Sequence, residues 1–540
     1  MSTQASVPAT RLPPSGLRDA ERTSQAGAGT TRSTSWRLYA VLAFGSLVLG
    51  SLSLLYPSTP SYDPWGWLLW GREILHLKLN TVGANSFKPL PVLFTLPFAL
   101  FGKAQPDLWL VVARAGAIFA IAMAFRLAAR LTLWFGITTG GRLTVSRAIS
   151  YGPAVLAGAI AALSILISPE YIRDGAIGYS ECLGAGLVLL AIDRHLDDKP
   201  RQTFIIGFFP ALDRPEVWPF WGLYGLYLWR RDPGARKLII ALFALAPALW
   251  FLPEVWGSGQ IFRGVTHDLH PPKGAPAAVV TKCPFCTELK AASQVSLSRV
   301  KIVTVLMAVG AAIAIWRALR ERTSDLAAAV REQARRPAGI VLALAVLGVA
   351  WFVEIAAMKQ YGFSGNQRYL IIGGAMIVVV GGVGWGLAAW KLGDLLGRWI
   401  SPAPGAAVAV TAVSALFLFF PGWVGTHLKA HQLNRALHYQ AELRHDVNAI
   451  IHEAGGAKAV LACGRVETEN YQVPMVAWYL GVESVDVSDE IPLSVADKDA
   501  PNVIFQTRDT GTATLLPLVP PHVHYTEITQ RTYRLFEHCR

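Results

Sequence analysis

Long apolar runs separated by polar connections make up most of the chain. The first run, Trp36–Tyr56, holds about 21 residues, which is enough to cross a bilayer once. Comparable runs follow near residues 107–125, 152–168, 180–192, 203–230, 238–256, 301–316, 339–357, 369–390 and 404–424. This pattern predicts an α-helical polytopic membrane protein.

The basic residues predict the topology. Lys and Arg concentrate in every second connection, as they do in cytoplasmic loops, for example at Arg126 and Arg130. A single span over residues 203–230 would break this alternation, whereas two half-length helices that meet at Asp213-Arg214-Pro215-Glu216 preserve it. We therefore expect about eleven spans in the plasma membrane, with the N-terminus in the cytoplasm.

The two ends of the chain have a different composition, which predicts three regions. Residues 1–35 are rich in Ser, Thr, Pro and Arg and predict a disordered cytoplasmic tail. Residues 36–425 form the predicted transmembrane domain. Residues 426–540 alternate short apolar runs with polar turns, which predicts a small extracytoplasmic α/β domain.

The overall composition excludes several protein classes. With 53% hydrophobic and only 16% charged residues, the chain is neither disordered nor an ordinary soluble domain. Five cysteines are too few to hold a chain of 540 residues as a disulfide-stapled mini-protein. The net charge of +13 belongs mostly to the predicted inner connections, so it reports topology and does not indicate a nucleic-acid partner.

Two short apolar segments follow the first span in the predicted first outer loop. The segment that begins at Ser61 carries Trp65, Trp67 and Trp70, and tryptophan is typical of the headgroup level. The segment that begins at Pro89 has about 14 apolar residues interrupted by further prolines, which is too short to span. We expect both to be surface or re-entrant helices.

This layout resembles the GT-C superfamily of membrane glycosyltransferases, in particular the protein O-mannosyltransferase and lipid A aminoarabinose transferase type. The resemblance depends on the order of five features, namely Asp63 after the first span, Lys88-Pro89-Leu90-Pro91, a span from Arg114 to Arg130, Arg173-Asp174 with Glu181, and Gln367-Arg368-Tyr369-Leu370. It implies a GT-C-like fold, a polyprenyl-phosphate sugar donor and no required metal. Pro64 follows Asp63 where the mannosyltransferases have a second acid, so the acceptor class stays open.

The chemistry of such a transfer can be matched to residue types. A carboxylate near the acceptor hydroxyl serves as general base, and Asp63 is our candidate. The phosphate leaving group needs cations, for which the candidates are Lys88, Arg173, Arg214 and Arg368. The candidates for orienting the acceptor or the sugar are Asp174, Glu181, Glu216 and Tyr369.

Each candidate also has a structural alternative. Asp63 could cap its helix, Lys88 could extend to the membrane surface and Arg368 could be an interfacial anchor. Asp174 or Glu181 could pair with Arg173. Arg214 could pair with Glu216, and Glu354 with Lys359, in each case as an internal ion pair.

The cysteines predict structural links. Cys463 and Cys539 could join the two ends of the outer domain. Cys283 and Cys286 could form a local disulfide, remain unpaired, or complete a structural zinc site with His267 and His270.

These features together predict an inverting membrane glycosyltransferase. The expected partners are a polyprenyl-phosphate sugar, membrane lipids and a glycan, lipid or protein acceptor of the cell envelope. A divalent metal is possible but not expected. The alternative is a transporter or flippase of a lipid-linked glycan, for which we would expect internal repeats and acids deep within the spans.

Overall fold

The computed structural model describes residues 36–83, 85–139, 147–269, 281–321, 328–419, 429–489 and 500–539. The predicted tail, residues 1–35, and His270 lie outside these ranges. The helices before the outer domain are α1 (Trp36–Leu52), α2 (Tyr62–Leu75), α3 (Pro89–Phe98), α4 (Gln105–Thr139), α5 (Arg147–Leu166), α6 (Pro169–Ala176), α7 (Glu181–Leu196), α8 (Pro200–Asp213), α9 (Trp218–Arg231), α10 (Arg236–Ser258), α11 (Arg263–Asp268), α12 (Pro284–Ala292), α13 (Ile302–Glu321), α14 (Ala328–Gln360), α15 (Ile371–Leu396) and α16 (Pro402–Phe419).

Several of these helices have the length and composition of membrane spans. In the described ranges, six helical segments pass this test, and the bent pair Tyr151–Leu166 and Pro169–Ala176 makes seven if it is one span. The chain is therefore a multi-pass membrane protein, but the predicted count of about eleven spans is not confirmed. The span that contains α15 lies at the centre, because 94% of its most apolar window is buried inside the protein.

The predicted break in the 203–230 segment is confirmed. Helices α8 and α9 have 14 residues each and are separated by Arg214 and a 3₁₀ turn at Pro215–Val217. Arg214 has the extended backbone that a residue before proline favours, which ends α8 at Asp213. The break leaves Arg214 and Glu216 at the junction of the two helices.

The C-terminal region, called the outer domain here after its predicted location, combines helices with a small mixed sheet. It contains α17 (Ala430–Glu453), α18 (Ala457–Cys463) and α19 (Val473–Leu480) with strands β1 (Val466–Thr468), β2 (Val487–Ser488), β3 (Val503–Thr507), β4 (Thr526–Thr529) and β5 (Tyr533–Glu537). The sheet order is β2-β1-β3-β5-β4. Strand β1 pairs parallel with β2 and β3, whereas β5 is antiparallel to β3 and β4. An α/β composition is thus confirmed for this region, while the domain boundaries stay predictions.

The outer domain packs directly on α2, and this contact corrects one prediction. Trp65, Trp67 and Trp70 are at most 2% exposed, so they do not lie at the headgroup level. The Trp65 ring lies 5.3 Å from that of Trp478 on α19, and the Trp67 ring lies 5.6 Å from that of Trp109. The tryptophans therefore form a core between α2 and its neighbours.

Charged side chains hold three of the helices together on the side of the bundle where the sequence predicts a cytoplasmic connection. Arg126 Nε and Arg130 Nη1 on α4 each lie 2.6 Å from a carboxylate oxygen of Asp193 on α7. The Tyr39 hydroxyl on α1 donates to the same carboxylate at 2.6 Å. These arginines therefore bind neighbouring helices as well as contributing to the charge pattern.

The structure contains two disulfides. The predicted Cys463–Cys539 bond is confirmed, and it joins the end of α18 to the segment that follows β5. Cys283 is bonded to Cys286, which confirms the local disulfide among the three alternatives. The zinc alternative is wrong, because sulfurs bonded to each other are not available as thiolate ligands.

Candidate active site

A cavity of about 710 Å³ lies between the helices and the outer domain. Its walls come from the start of α2, the segment before α3, the break between α8 and α9, the connection from α14 to α15, and the outer domain. Seven of the nine residues predicted for catalysis, phosphate binding or orientation line it, namely Asp63, Lys88, Arg173, Arg214, Glu216, Arg368 and Tyr369. The fold thus brings together residues that are up to about 300 positions apart in the chain.

Asp63 lies in the first turn of α2 and is 8% exposed. Arg368, in the 3₁₀ turn just before α15, places Nη2 at 2.5 Å from Asp63 Oδ2. The Tyr179 ring lies 4.0 Å from Arg368 Cζ on another side of the guanidinium group. Asp63 is therefore a buried carboxylate with a specific cationic partner, and Arg368 is not a membrane-surface anchor.

Glu181 is the centre of the cation cluster. It is the first residue of α7 and is fully buried beneath the cavity wall. Its Oε1 lies 2.9 Å from Lys88 Nζ, 3.2 Å from Arg214 Nη1 and 3.4 Å from Arg368 Nε. Among the described residues Glu181 does not pair with Arg173, so that structural alternative does not apply. Lys88 extends inward to Glu181 and not to the membrane surface.

Arg214 is held on three sides. It forms an ion pair with Glu216, as one of our alternatives predicted, and also contacts Glu181. The Tyr369 ring lies 3.6 Å from Arg214 Cζ, within the range of a cation–π contact. The internal ion pair and a place in the cavity wall are therefore compatible, since Arg214 and Glu216 have both.

Asp174 is fully buried and lies beside the cavity wall. Its Oδ1 lies 2.9 Å from Arg173 Nη2, so the predicted pairing with Arg173 is confirmed for this acid. The Arg173 side chain is about half exposed. It is therefore the most accessible of the four candidate cations.

Two further predictions concern residues outside the cation cluster. His267 lines the cavity, and burial followed by the charge of Arg263 lowers its pKa to about 4, so it is neutral at pH 7. Glu354 was expected to pair with Lys359, but this is wrong because Lys359 Nζ contacts Glu288 on α12 at 3.0 Å. The sequence could not indicate this partner, which is about 70 residues away.

Asp213 is a cavity residue that the sequence analysis did not select. It is fully buried, and within the described ranges neither carboxylate oxygen has a partner with hydrogen-bond geometry. Gly184 on α7 provides the space, because a Cβ there would lie 2.9 Å from Asp213 Oδ2. The only sequence signal was its place in the polar break beside Arg214.

The outer domain supplies a wall that the sequence analysis also missed. Tyr471, Gln440, Asp509 and Thr510 line the cavity from this side. The Tyr471 ring makes an edge contact with Tyr62 at 5.7 Å, which connects the outer domain to the residue before Asp63. Burial and the charge of Asp509 raise the pKa of Tyr471 to about 12, so its phenol is protonated at pH 7.

The site therefore combines a buried carboxylate with a set of cations in one cavity. A carboxylate of this kind can accept a proton. Guanidinium and ammonium groups can bind a phosphate and stabilise charge that develops on it. The arrangement is suited to chemistry in which a hydroxyl loses a proton while a phosphate departs.

Comparisons with known proteins define the fold. No protein-family model matches the chain, and neither does any curated protein. The crystal structure of ArnT from Cupriavidus metallidurans bound to undecaprenyl phosphate has a TM-score of 0.50 at 12% identity, covering 93% of this chain and 98% of that one. The fold is similar to that of ArnT. The apo structure of ArnT has a TM-score of 0.50 at 13% identity with the same coverage, so the resemblance to the aminoarabinose transferase type is confirmed at the level of the fold.

Proposed function

We propose that the chain is a membrane glycosyltransferase that moves a sugar from a polyprenyl-phosphate donor to a cell-envelope acceptor. The observation that carries the proposal is the contact between Asp63 and Arg368 in a cavity whose wall also holds Lys88 and Arg214. An ArnT fold accompanies this geometry, and ArnT has been crystallised with undecaprenyl phosphate.

In the proposed reaction, Asp63 accepts the proton of an acceptor hydroxyl as the hydroxyl oxygen attacks the anomeric carbon of the donor. The bond between that carbon and the phosphate oxygen breaks, and its electron pair leaves with the polyprenyl phosphate. Direct attack inverts the anomeric configuration. Lys88, Arg368, Arg173 and Arg214 stabilise the departing phosphate, and the nearby acids hold these cations in position.

The proposed base is tested by measuring transfer. Membranes that carry wild-type protein or Asp63→Asn receive radiolabelled polyprenyl-phosphate sugars, and labelled envelope products are counted. We expect Asp63→Asn to lower transfer by about 10²–10⁴-fold, which is the usual value of a positioned general base.

The matched control is Asp232→Asn, because Asp232 is a partly exposed acid whose partner is Arg201, away from the cavity. This variant should transfer as the wild type does. Equal transfer by Asp63→Asn and wild type would remove Asp63 as base. Movement of a lipid-linked glycan across the bilayer without any transfer would favour the transporter alternative.

A further inference from the structure

The cavity has two chemically different walls. On the membrane side, Lys88, Arg214 and Arg368 present cations that are suited to a phosphate. On the outer-domain side, the polar residues are Tyr471, Gln440, Gln472, Asp509 and Thr510. Asp63 lies where the two walls approach each other, because Tyr62 contacts Tyr471 and Asp63 contacts Arg368.

The outer-domain wall is held in position by its own contacts. Gln440 Nε2 donates to the backbone carbonyl of Asp509 at 2.8 Å, which fixes α17 against the segment after β3. The backbone amide of Tyr471 donates to Glu469 Oε2 at 2.9 Å. The Tyr471 phenol oxygen is buried and has no hydrogen-bond partner in the part of the chain that the structure describes.

The charge of this wall is opposite to that of the membrane side. Asp509 lines the cavity, and Glu469 lies directly behind Tyr471. Burial and the charges of Asp509 and Asp489 raise the pKa of Glu469 to about 8, so Glu469 is neutral at pH 7 and Asp509 is the acid that faces an acceptor. A phosphate or carboxylate on an acceptor would face like charge here, which disfavours its binding. A hydroxyl group, in contrast, donates to carboxylate and amide oxygens.

We propose that the outer-domain wall is the acceptor subsite and that it takes a neutral, polyhydroxylated glycan. Asp509, Gln440 and Tyr471 hydrogen-bond the sugar hydroxyls and present one of them to Asp63. This inference rests on the proposed function. That hydroxyl gives its proton to Asp63 and its oxygen forms the new glycosidic bond, while the donor's carbon–oxygen bond breaks and polyprenyl phosphate leaves.

The subsite is tested by binding to the full-length protein in lipid nanodiscs. The probes are two fluorescently labelled oligosaccharide pools of equal size, one neutral and one bearing uronate groups, prepared by partial hydrolysis of bacterial cell-envelope polysaccharide. At low ionic strength we expect the wild type to retain the neutral pool at least about 10-fold better than the anionic pool, because charge discrimination is screened by salt. Asp509→Asn should lower retention of the neutral pool several-fold.

A charge reversal at Asp509 tests the preference between the two pools, separately from the total retention that Asp509→Asn lowers. Asp509→Lys should reduce the preference for the neutral pool by about 10-fold, whereas the control Glu527→Lys, on exposed strand β4 of the same domain, should not. Thermal unfolding of each variant checks that the domain is folded. Better retention of the anionic pool by wild type, retention of neither pool, or no effect of Asp509→Lys would overturn the proposal.

The donor side is measured in parallel, so that the two proposals can fail separately. Undecaprenyl phosphate binding should fall in Arg368→Gln, while retention of the neutral pool persists. If the wild type retained the neutral pool but did not bind undecaprenyl phosphate, the result would count against the proposed function alone. The reverse result would count against the acceptor subsite alone.

Discussion

Arg368 connects the proposed base with the proposed phosphate site. Its guanidinium group contacts Asp63 through Nη2 and approaches Glu181 through Nε. In the proposed reaction, Asp63 becomes neutral as it takes a proton, while the departing phosphate gains a negative charge. Arg368 therefore loses the charge of Asp63 as the negative charge on the departing phosphate grows. Its interaction with the phosphate is strongest in the transition state.

Replacing this residue should affect donor binding in a graded way. Arg368→Lys keeps the charge but loses the planar donor geometry, so we expect undecaprenyl phosphate affinity to fall about 10-fold, and Arg368→Gln about 100-fold. Arg201→Lys, at an exposed pair with Asp232, is the matched control and should change nothing. Binding is measured in nanodiscs, and equal affinity of Arg368→Gln and wild type would contradict a phosphate role.

Glu469 should make the stability of the outer domain depend on pH. Burial, followed by the charge of Asp509, raises its pKa from 4.5 to about 8. Below about pH 4.5 the carboxyl is protonated in both states; between pH 4.5 and 8 the unfolded chain releases the proton and the folded chain keeps it. The free energy of unfolding should therefore fall by roughly 3–5 kcal/mol across this window and level off above pH 8.

The measurement is amide hydrogen exchange in strands β1 and β3 of the full chain, corrected for the intrinsic exchange rate at each pH. Glu469→Gln carries no titrating group at this position, so its protection should change much less between pH 5 and 8. A wild-type profile as flat as that of Glu469→Gln would show that the buried carboxyl does not govern stability.

At the scale of elements, local sequence determined some features and distant partners determined others. The break before Pro215 was predictable, since charge and proline in an apolar run disfavour a continuous helix. The tryptophans of α2 were misplaced because the same aromatic pattern suits a headgroup layer and a domain contact, and only Trp478 decides between them. The partners of Glu181 were unpredictable for the same reason, since three separate segments supply them.

Close packing of α13 on α15 depends on a glycine. A Cβ at Gly384 would overlap the backbone carbonyl of Thr304, so Gly384→Ala must push the two helices apart. We expect a loss of about 1–3 kcal/mol in the free energy of unfolding, seen as a lower thermal midpoint in detergent. Gly310→Ala on α13 is the matched control, because nothing lies within 4 Å of its new Cβ, and it should not destabilise.

At the scale of the whole molecule, the outer domain forms part of the wall of the candidate active-site cavity. It packs on α2, the helix whose first turn contains Asp63. In addition, Arg444 Nη1 on α17 lies 2.6 Å from Asp107 Oδ1 at the start of α4. A rigid attachment is required if the acceptor wall is to present a hydroxyl to the base, because a small displacement greatly reduces the rate. The attachment should therefore affect acceptor use more than donor binding.

Arg72 allows this coupling to be tested. From α2 it donates through Nη1 to the Trp478 carbonyl at 3.0 Å and through Nη2 to the Val482 carbonyl at 2.5 Å, so it binds both ends of the turn after α19. Arg72→Ala should increase hydrogen exchange in Val473–Leu480 and lower kcat/KM for the acceptor by about 10-fold or more, since two charge-assisted hydrogen bonds are lost. Undecaprenyl phosphate affinity should stay within about twofold of wild type, because the phosphate cations are elsewhere. The control is Arg531→Ala, which replaces an exposed arginine before β5. If Arg72→Ala also lost affinity for undecaprenyl phosphate, the whole site would have collapsed. That result would contradict a specific role of the attachment in positioning the acceptor.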